Sequence, residues 1–207
     1  KACFAPYDKK EAQNFIKDKY GIDKFILFVS RFEPRKNHTM LLKAWIDLKL
    51  YDKGYWLVLL GNKCQRIREF DQVLESLPDN IRSFIYIDGR SDNETLIQFY
   101  RAAAVFVYPS KGEGFGLPPL EAAAARTPVL CSNTSAMSDF VFFLKNHIDP
   151  ANVDLFRSGL SKILDADPDS DQLNKISDFI SYTYSPAKAA DSLLRLIKED
   201  AASTGKN

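Results

Sequence analysis

Five short runs of the chain are apolar without alternation: FILFVS (25–30), YWLVLL (55–60), SFIYID (83–88), VFVYPS (105–110) and PVLCS (128–132). A strand with one face in water alternates apolar and polar residues, whereas a strand buried on both faces does not. These runs are rich in Val, Ile, Leu, Phe and Tyr, and they predict strands of a parallel sheet. The stretches between them carry a helical period instead. HTMLLKAWIDLK (38–49) sets Met40, Leu41, Trp45 and Leu48 on one face, and CQRIREFDQVLESL (64–77) does the same with Ile67, Phe70, Val73, Leu74 and Leu77. SDNETLIQFYRAA opens with Ser91 and Glu94 at capping-box spacing before its apolar face begins. Strand and helix alternate every ~20–30 residues, which predicts an α/β fold with a doubly wound, Rossmann-like parallel sheet of about five or six strands.

After Ser132 the pattern changes. Residues 152–164, 172–184 and 186–199 read as three helices with no strand between them. The expected layout is a linker over 1–23, the sheet over 24–150, C-terminal helices over 151–199 and a frayed tail over 200–207.

Composition narrows the function classes. The 207 residues are 45% hydrophobic, enough for one sizeable core. Lys+Arg number 28 against 27 Asp+Glu, a balance that gives no support to nucleic-acid or membrane-surface binding through bulk charge. Cys3, Cys64 and Cys131 are odd in number and far apart, and they read as free thiols in a reducing compartment. No apolar run approaches the ~20 residues that span a bilayer, and the N-terminus lacks a signal-peptide layout. The chain begins with Lys1, as an excised piece of something larger would.

In open parallel sheets, ligands bind outside the carboxyl ends of the strands, so the residues after each strand matter most. After the first run comes RFEPRKN, where Pro34 turns the chain and Asn37 is the expected N-cap of the next helix. Arg31 and Lys36 suit a diphosphate, Arg as a fork and Lys as a point charge; solvated loop charges are the plainer reading. After the fourth run comes KGEGFGLPPLEAAAARTPV. Gly112, Gly114 and Gly116 let the backbone take positive φ and approach a ligand closely. Pro118 and Pro119 suit a first helical turn, leaving the N–H groups around Phe115, Gly116 and Leu117 to form an anion site. Glu121 falls in that expected first turn, where it would favour the helix dipole. Glu113, a carboxylate among glycines, is suited to accept from hydroxyls.

The stretch E-G-F-G-L-P-P-L-E-A, with Glu113 and Glu121 eight apart, resembles the E-x(7)-E signature of retaining, nucleotide-sugar-dependent group 1 glycosyltransferases (family 4). FVSRFEPRKN, WLVLLGNK, ARTPVLCS, NHIDPANVDLF and SYTYSPAKAADSLLRLI resemble that family's flanking segments in the same order. The likeness covers nearly the whole chain but only the C-terminal, donor-binding domain of the two-domain GT-B type fold. It implies that Arg31 and Lys36 hold the donor diphosphate and that amides of residues 114–117 bind phosphate and sugar. By the same likeness, Glu113 contacts the donor sugar or faces its anomeric centre, and Glu121 accepts from the ribose. It further implies transfer with retention, without a metal or cofactor, from a UDP- or GDP-linked sugar to a glycan or lipid-linked acceptor. The acceptor would bind through an N-terminal domain absent from this sequence, so the chain alone is expected not to catalyse transfer. Polysaccharide synthesis in the cytoplasm, with peripheral attachment to the inner face of a membrane, fits that pattern. Two departures stand out: Ser30 where Gly is frequent, and Arg126 where Gly commonly caps the alanine helix. Asp139 stands near a position where the family often has Glu, with its role open.

Other signals carry less. DADPDSD (165–171) contains a D-x-D string but reads as a polar linker between helices. His38 and His147 are isolated, and no cluster has zinc spacing, although His38 follows Lys36 closely enough to reach a phosphate edge. Arg90, after the third run, is a candidate neighbour of the base. A nucleotide- or phosphate-binding module without transfer activity is the competing reading. A dinucleotide-dependent oxidoreductase or epimerase is a third, weakened by a glycine pattern that follows the fourth strand and lacks G-x-G-x-x-G spacing.

Overall fold

The apolar runs assemble into one parallel sheet, as a computed structural model describing residues 7–204 shows. Cys3 and the end of the expected tail, 205–207, lie outside the described residues. The strands are β1 (Lys24–Val29), β2 (Tyr55–Leu60), β3 (Ile85–Asp88), β4 (Val105–Tyr108), β5 (Val129–Ser132) and β6 (His147–Ile148). Their spatial order is β3–β2–β1–β4–β5–β6. Phe25 to Phe28 of β1 and all four residues of β4 and β5 are buried, as non-alternating runs require. Edge strand β3 is only half-buried.

Helices fill the connections: α1 (Lys9–Tyr20), α2 (His38–Asp47), α3 (Arg68–Glu75), α4 (Asp79–Arg82), α5 (Asn93–Ala102) and α6 (Leu117–Ala124). The C-terminal layer is α7 (Val153–Asp165), α8 (Ser170–Thr183) and α9 (Pro186–Thr204). Trp45 of α2, fully buried, donates its indole N–H to the Tyr55 carbonyl at 2.9 Å, so the core aromatic satisfies its one polar atom. Ser177 of α8 donates to the Ala124 carbonyl at 2.8 Å, tying the C-terminal layer to the end of α6. None of the described helices is long and apolar enough to cross a membrane.

Several elements depart from the sequence pattern. Residues 9–20, expected as linker, form α1, which buries Ala12 and Ile16 and packs on α5. Its polar sequence hides the stripe, but Asp8 caps it by accepting from the Lys10 amide at 2.7 Å, and Gly21 closes it at φ 71°. Strand β6 has two residues, too few for any period, and is held by pairing Cys131 with His147 and Ser132 with Ile148. α3 starts at Arg68, four residues inside the apolar-periodic run. The N-cap of α5 is Asp92, which accepts from the Thr95 amide at 2.7 Å; Ser91 instead donates to Asp88 at 2.6 Å. The last helix continues to Thr204, beyond the expected start of the frayed tail.

The chain winds outward from β1 to β3 and then in the other direction from β4 to β6. The reversal falls between β1 and β4, which pair through Ile26–Val105 and Leu27–Phe106. Crevices at such reversals, beyond the strands' carboxyl ends, are where ligands bind in open α/β sheets.

Candidate functional site

The segments leaving β1 and β4 meet at that reversal. Gly61, after β2, lies so close that a Cβ on it would sit 2.0 Å from the Ser30 carbonyl oxygen. Beyond Ser30 a 3₁₀ turn, Pro34–Lys36, is closed by Asn37 in the left-handed region at φ 64°, and this turns Lys36 inward. Lys36 is only 6% exposed. Its Nζ donates to the Tyr108 hydroxyl at 3.0 Å and to Glu113 Oε1 at 2.5 Å. Ser110 Oγ donates to the same Oε1 at 2.6 Å, and Arg35 donates to Oε2 at 3.1 Å. Burial raises the Glu113 carboxyl, but the bonds from Lys36, Ser110 and Arg35 and the Lys36 charge outweigh it and hold the group below its ordinary range. Burial, reinforced by the Glu113 charge, pushes the Tyr108 hydroxyl up, so it stays neutral.

α6 begins four residues after Glu113. Gly116 is its N-cap at φ 96°, and an added Cβ would meet Met137 Cγ at 3.0 Å and Phe140 Cε2 at 3.1 Å. Pro118 and Pro119 have no N–H, and the amides of Phe115, Gly116 and Leu117 have no acceptor among the described residues. Unsatisfied amides at a helix N-terminus favour an anion. Gly112 and Gly114 do not use their freedom to take positive φ; both stand in open space on either side of Glu113. Their contribution is clearance over the loop. Ser135, itself at φ 53°, accepts from the Glu113 amide at 2.9 Å and joins the loop after β5 to the group.

The remaining sequence candidates are placed as follows. Arg31 is 63% exposed and pairs with Glu33 at 3.0 Å, so it stands at the mouth, apart from the Lys36–Glu113 contact. Glu121 falls in the second turn of α6, too late to act on the helix dipole, and accepts from the Tyr100 hydroxyl at 2.8 Å. Arg90 is exposed, its amide donating to Asp88 at 2.9 Å. Asp139 is exposed at the end of a 3₁₀ turn, Ser135–Asp139. His38 does not reach a phosphate edge: it is 1% exposed and stacks on Phe32 at 4.2 Å within a cluster including Phe28 and Phe70. Asn37 occupies the N-cap position of α2 without capping it; its side chain donates to the Pro150 carbonyl at 3.1 Å. Arg126 takes the left-handed conformation at φ 51° that Gly usually fills. Asp169 of the D-x-D string caps α8 by accepting from the Gln172 amide at 2.9 Å. Among the described residues no group of three or more His, Cys, Asp or Glu is placed to hold a metal ion.

Sequence reasoning missed Arg35, Tyr108, Ser110 and Ser135. The signal for Arg35 was its place beside Lys36 at a proline turn. Ser110 and Tyr108 ended a run read only as core.

The family described as "Glycosyl transferases group 1" matches residues 9–199. The chain is 35% identical over 146 residues to O-antigen chain mannosyltransferase B of Escherichia coli, covering 69% of this chain and 37% of that protein. It is 32% identical over 152 residues to the serotype-specific mannosyltransferase WbdA of the same species, covering 72% of this chain and 18% of that one. Among solved structures, sucrose-phosphate synthase from Thermosynechococcus elongatus superposes with a TM-score of 0.78 at 24% identity, over 98% of this chain and 51% of that one. A glycosyltransferase from Rickettsia africae ESF-5 gives a TM-score of 0.78 at 19% identity, over 96% and 54%. These two establish a shared fold, and the chain spans about half or less of each of these proteins. With its match running from α1 into α9, the chain belongs to the group 1 glycosyltransferases.

Proposed function

We propose that this chain is the donor-binding half of an enzyme that transfers a hexosyl group from a nucleoside-diphosphate sugar, with retention, to a glycan or lipid-linked acceptor held by a second domain. One observation carries the reading: where the strand order reverses, a buried lysine bonds a carboxylate that stands three residues before the N-cap of a helix whose first amides have no acceptor among the described residues. Lys36 is the diphosphate's point charge, Arg31 the exposed fork at the mouth, and the amides of residues 115–117 meet phosphate or sugar oxygens. As the bond between the anomeric carbon and the diphosphate oxygen breaks, negative charge grows on that oxygen. Preorganised donors are worth most where charge develops in a water-poor site. The acceptor hydroxyl attacks from the face the nucleotide leaves, forming the new glycosidic bond with configuration kept. Glu113 addresses the donor sugar once Lys36 turns to phosphate, and Glu121 addresses the ribose. The relatives' names favour mannose as the sugar.

Calorimetric titration of the chain with UDP, GDP and ADP tests the reading. Binding of one diphosphate, lost on adding a large excess of salt and weakened in Lys36→Ala, is the expected result. No binding of any of the three would overturn it.

A further inference from the structure

Arg35 lies outside the residues that the signature assigns, yet it makes more links across the reversal than any of them. Its Nη1 donates to the Gly112 carbonyl at 2.7 Å and to Glu113 Oε2 at 3.1 Å, and its Nε donates to Glu33 at 2.9 Å. Its own carbonyl accepts from the Lys111 amide at 2.8 Å and from Ser110 Oγ at 3.3 Å. One residue of the β1 exit thus grips Ser110, Lys111, Gly112 and Glu113 of the β4 exit. Those four residues need a grip. Gly112 and Gly114 flank Glu113 with nothing within 4 Å of where a Cβ would stand, so neither side-chain packing nor restricted φ fixes the loop.

We propose that Arg35 is a positioning residue: its guanidinium fork sets the glycine-flanked loop and takes a share of the Glu113 carboxylate, so that Lys36 can be released to the donor diphosphate. The proposal rests on the donor-site reading. The two carboxylate oxygens are divided, Oε1 to Lys36 and Ser110, Oε2 to Arg35. When a diphosphate draws Lys36 away, Glu113 is still held by Arg35, Ser110 and, through its amide, Ser135. Without Arg35 the carboxylate falls back on Lys36, and the lysine is harder to detach. Lysine at this position restores the charge but not the fork, because an ammonium is a point charge without fixed, diverging donors.

The test compares wild type, Arg35→Gln and Arg35→Lys by two readouts: UDP and GDP affinity, and titration of the Glu113 carboxyl followed by ¹³C NMR. The groups facing that carboxyl are Lys36 and Arg35 from the β1 exit and Tyr108 and Ser110 from the β4 side. Arg35→Gln is expected to bind the diphosphate about three- to tenfold more weakly, the range for a partly exposed charged contact, and to titrate Glu113 at higher pH. Arg35→Lys is expected to recover only part of each. Thermal melting verifies that each variant is folded; Arg35 is 43% exposed and outside the core, so a small change is expected. If wild type binds no diphosphate, the donor-site reading fails first. If wild type binds and Arg35→Gln alters neither readout, or Arg35→Lys restores both fully, the positioning role is overturned while the donor site stands.

Discussion

Lys36→Ala gives the most demanding check, because in the unliganded protein Lys36 already has a partner. A hydrogen bond to a charged group is worth about 1.5–3 kcal/mol net. A diphosphate that recruits Lys36 must first take it from Glu113, 2.5 Å away, so only part of that range appears as affinity. The low end, about 1.5 kcal/mol, makes Lys36→Ala about tenfold weaker for UDP or GDP. In Glu113→Gln the lysine has no carboxylate to give up, and the same substitution should cost about 3 kcal/mol, on the order of 150-fold. The difference is a coupling of about 1.5 kcal/mol between residues in contact; with Glu113→Gln neutral once Lys36 is gone, Glu113→Gln alone should bind the diphosphate about tenfold more tightly than wild type. Calorimetry on the four proteins, all checked for folding by thermal melting, measures each edge. Equal costs of Lys36→Ala in both backgrounds would refute exchange of partners. No cost in either would remove Lys36 from the diphosphate site.

Gly116→Ala should lower stability by about 1–3 kcal/mol, since φ 96° and contacts of 3.0 and 3.1 Å both oppose a Cβ. Gly112→Ala, in open space, should change stability by less than about 1 kcal/mol; paired thermal melts decide, and equal losses would refute the contrast. His38 is depressed by burial and by the Lys36 charge from 6.5 to about 3, so the unfolded chain binds a proton in a range where the folded one does not. Its contribution is therefore present above pH 6.5 and lost as pH falls towards 3, with a slope of up to about 1.4 kcal/mol per pH unit. Urea midpoints between pH 6.5 and 5 should flatten in His38→Phe, with half-buried His147, also depressed by burial, contributing to what slope remains; an unchanged slope would refute the assignment. Arg126→Gly should raise stability by about 0.5–1 kcal/mol, because Gly takes φ 51° without the Cβ penalty; a lower melting temperature would show that the arginine's packing outweighs its strain.

What the sequence disclosed followed from physical range. Strand β2 coincides residue for residue with YWLVLL, because burial on both faces writes itself into consecutive side chains. β6 left no such trace, since its two residues exist as strand only through β5. Helix α1 was hidden because just Ala12 and Ile16 of its residues are buried, while Asp8 and Gly21 carry the caps. The donor-site candidates were legible as residue types after strands, but not as partners. That Glu113 would close on Lys36 depends on where the 3₁₀ turn aims the lysine, and the turn in turn depends on Asn37 at positive φ. Three glycines in five residues permit three left-handed turns, and which of them takes one depends on tertiary contacts: only Gly116, pressed between Met137 and Phe140, does. At Arg126 the sequence showed only that the usual glycine is missing; the backbone shows the arginine itself in the left-handed conformation.

The arrangement also explains why a carboxylate stands at position 113. A lysine 6% exposed cannot be left without a partner, because an unpaired buried charge costs several kcal/mol. The Tyr108 hydroxyl, itself kept neutral, offers one lone pair and no charge. Glu113 supplies the missing anion from within the chain, and its oxygens take the lysine, serine and arginine donors that the oxygens of a phosphate would accept. On the donor-site reading it keeps the lysine inward and oriented before the donor arrives. A neutral residue there would leave Lys36 without an anionic partner and free to swing out of its buried position.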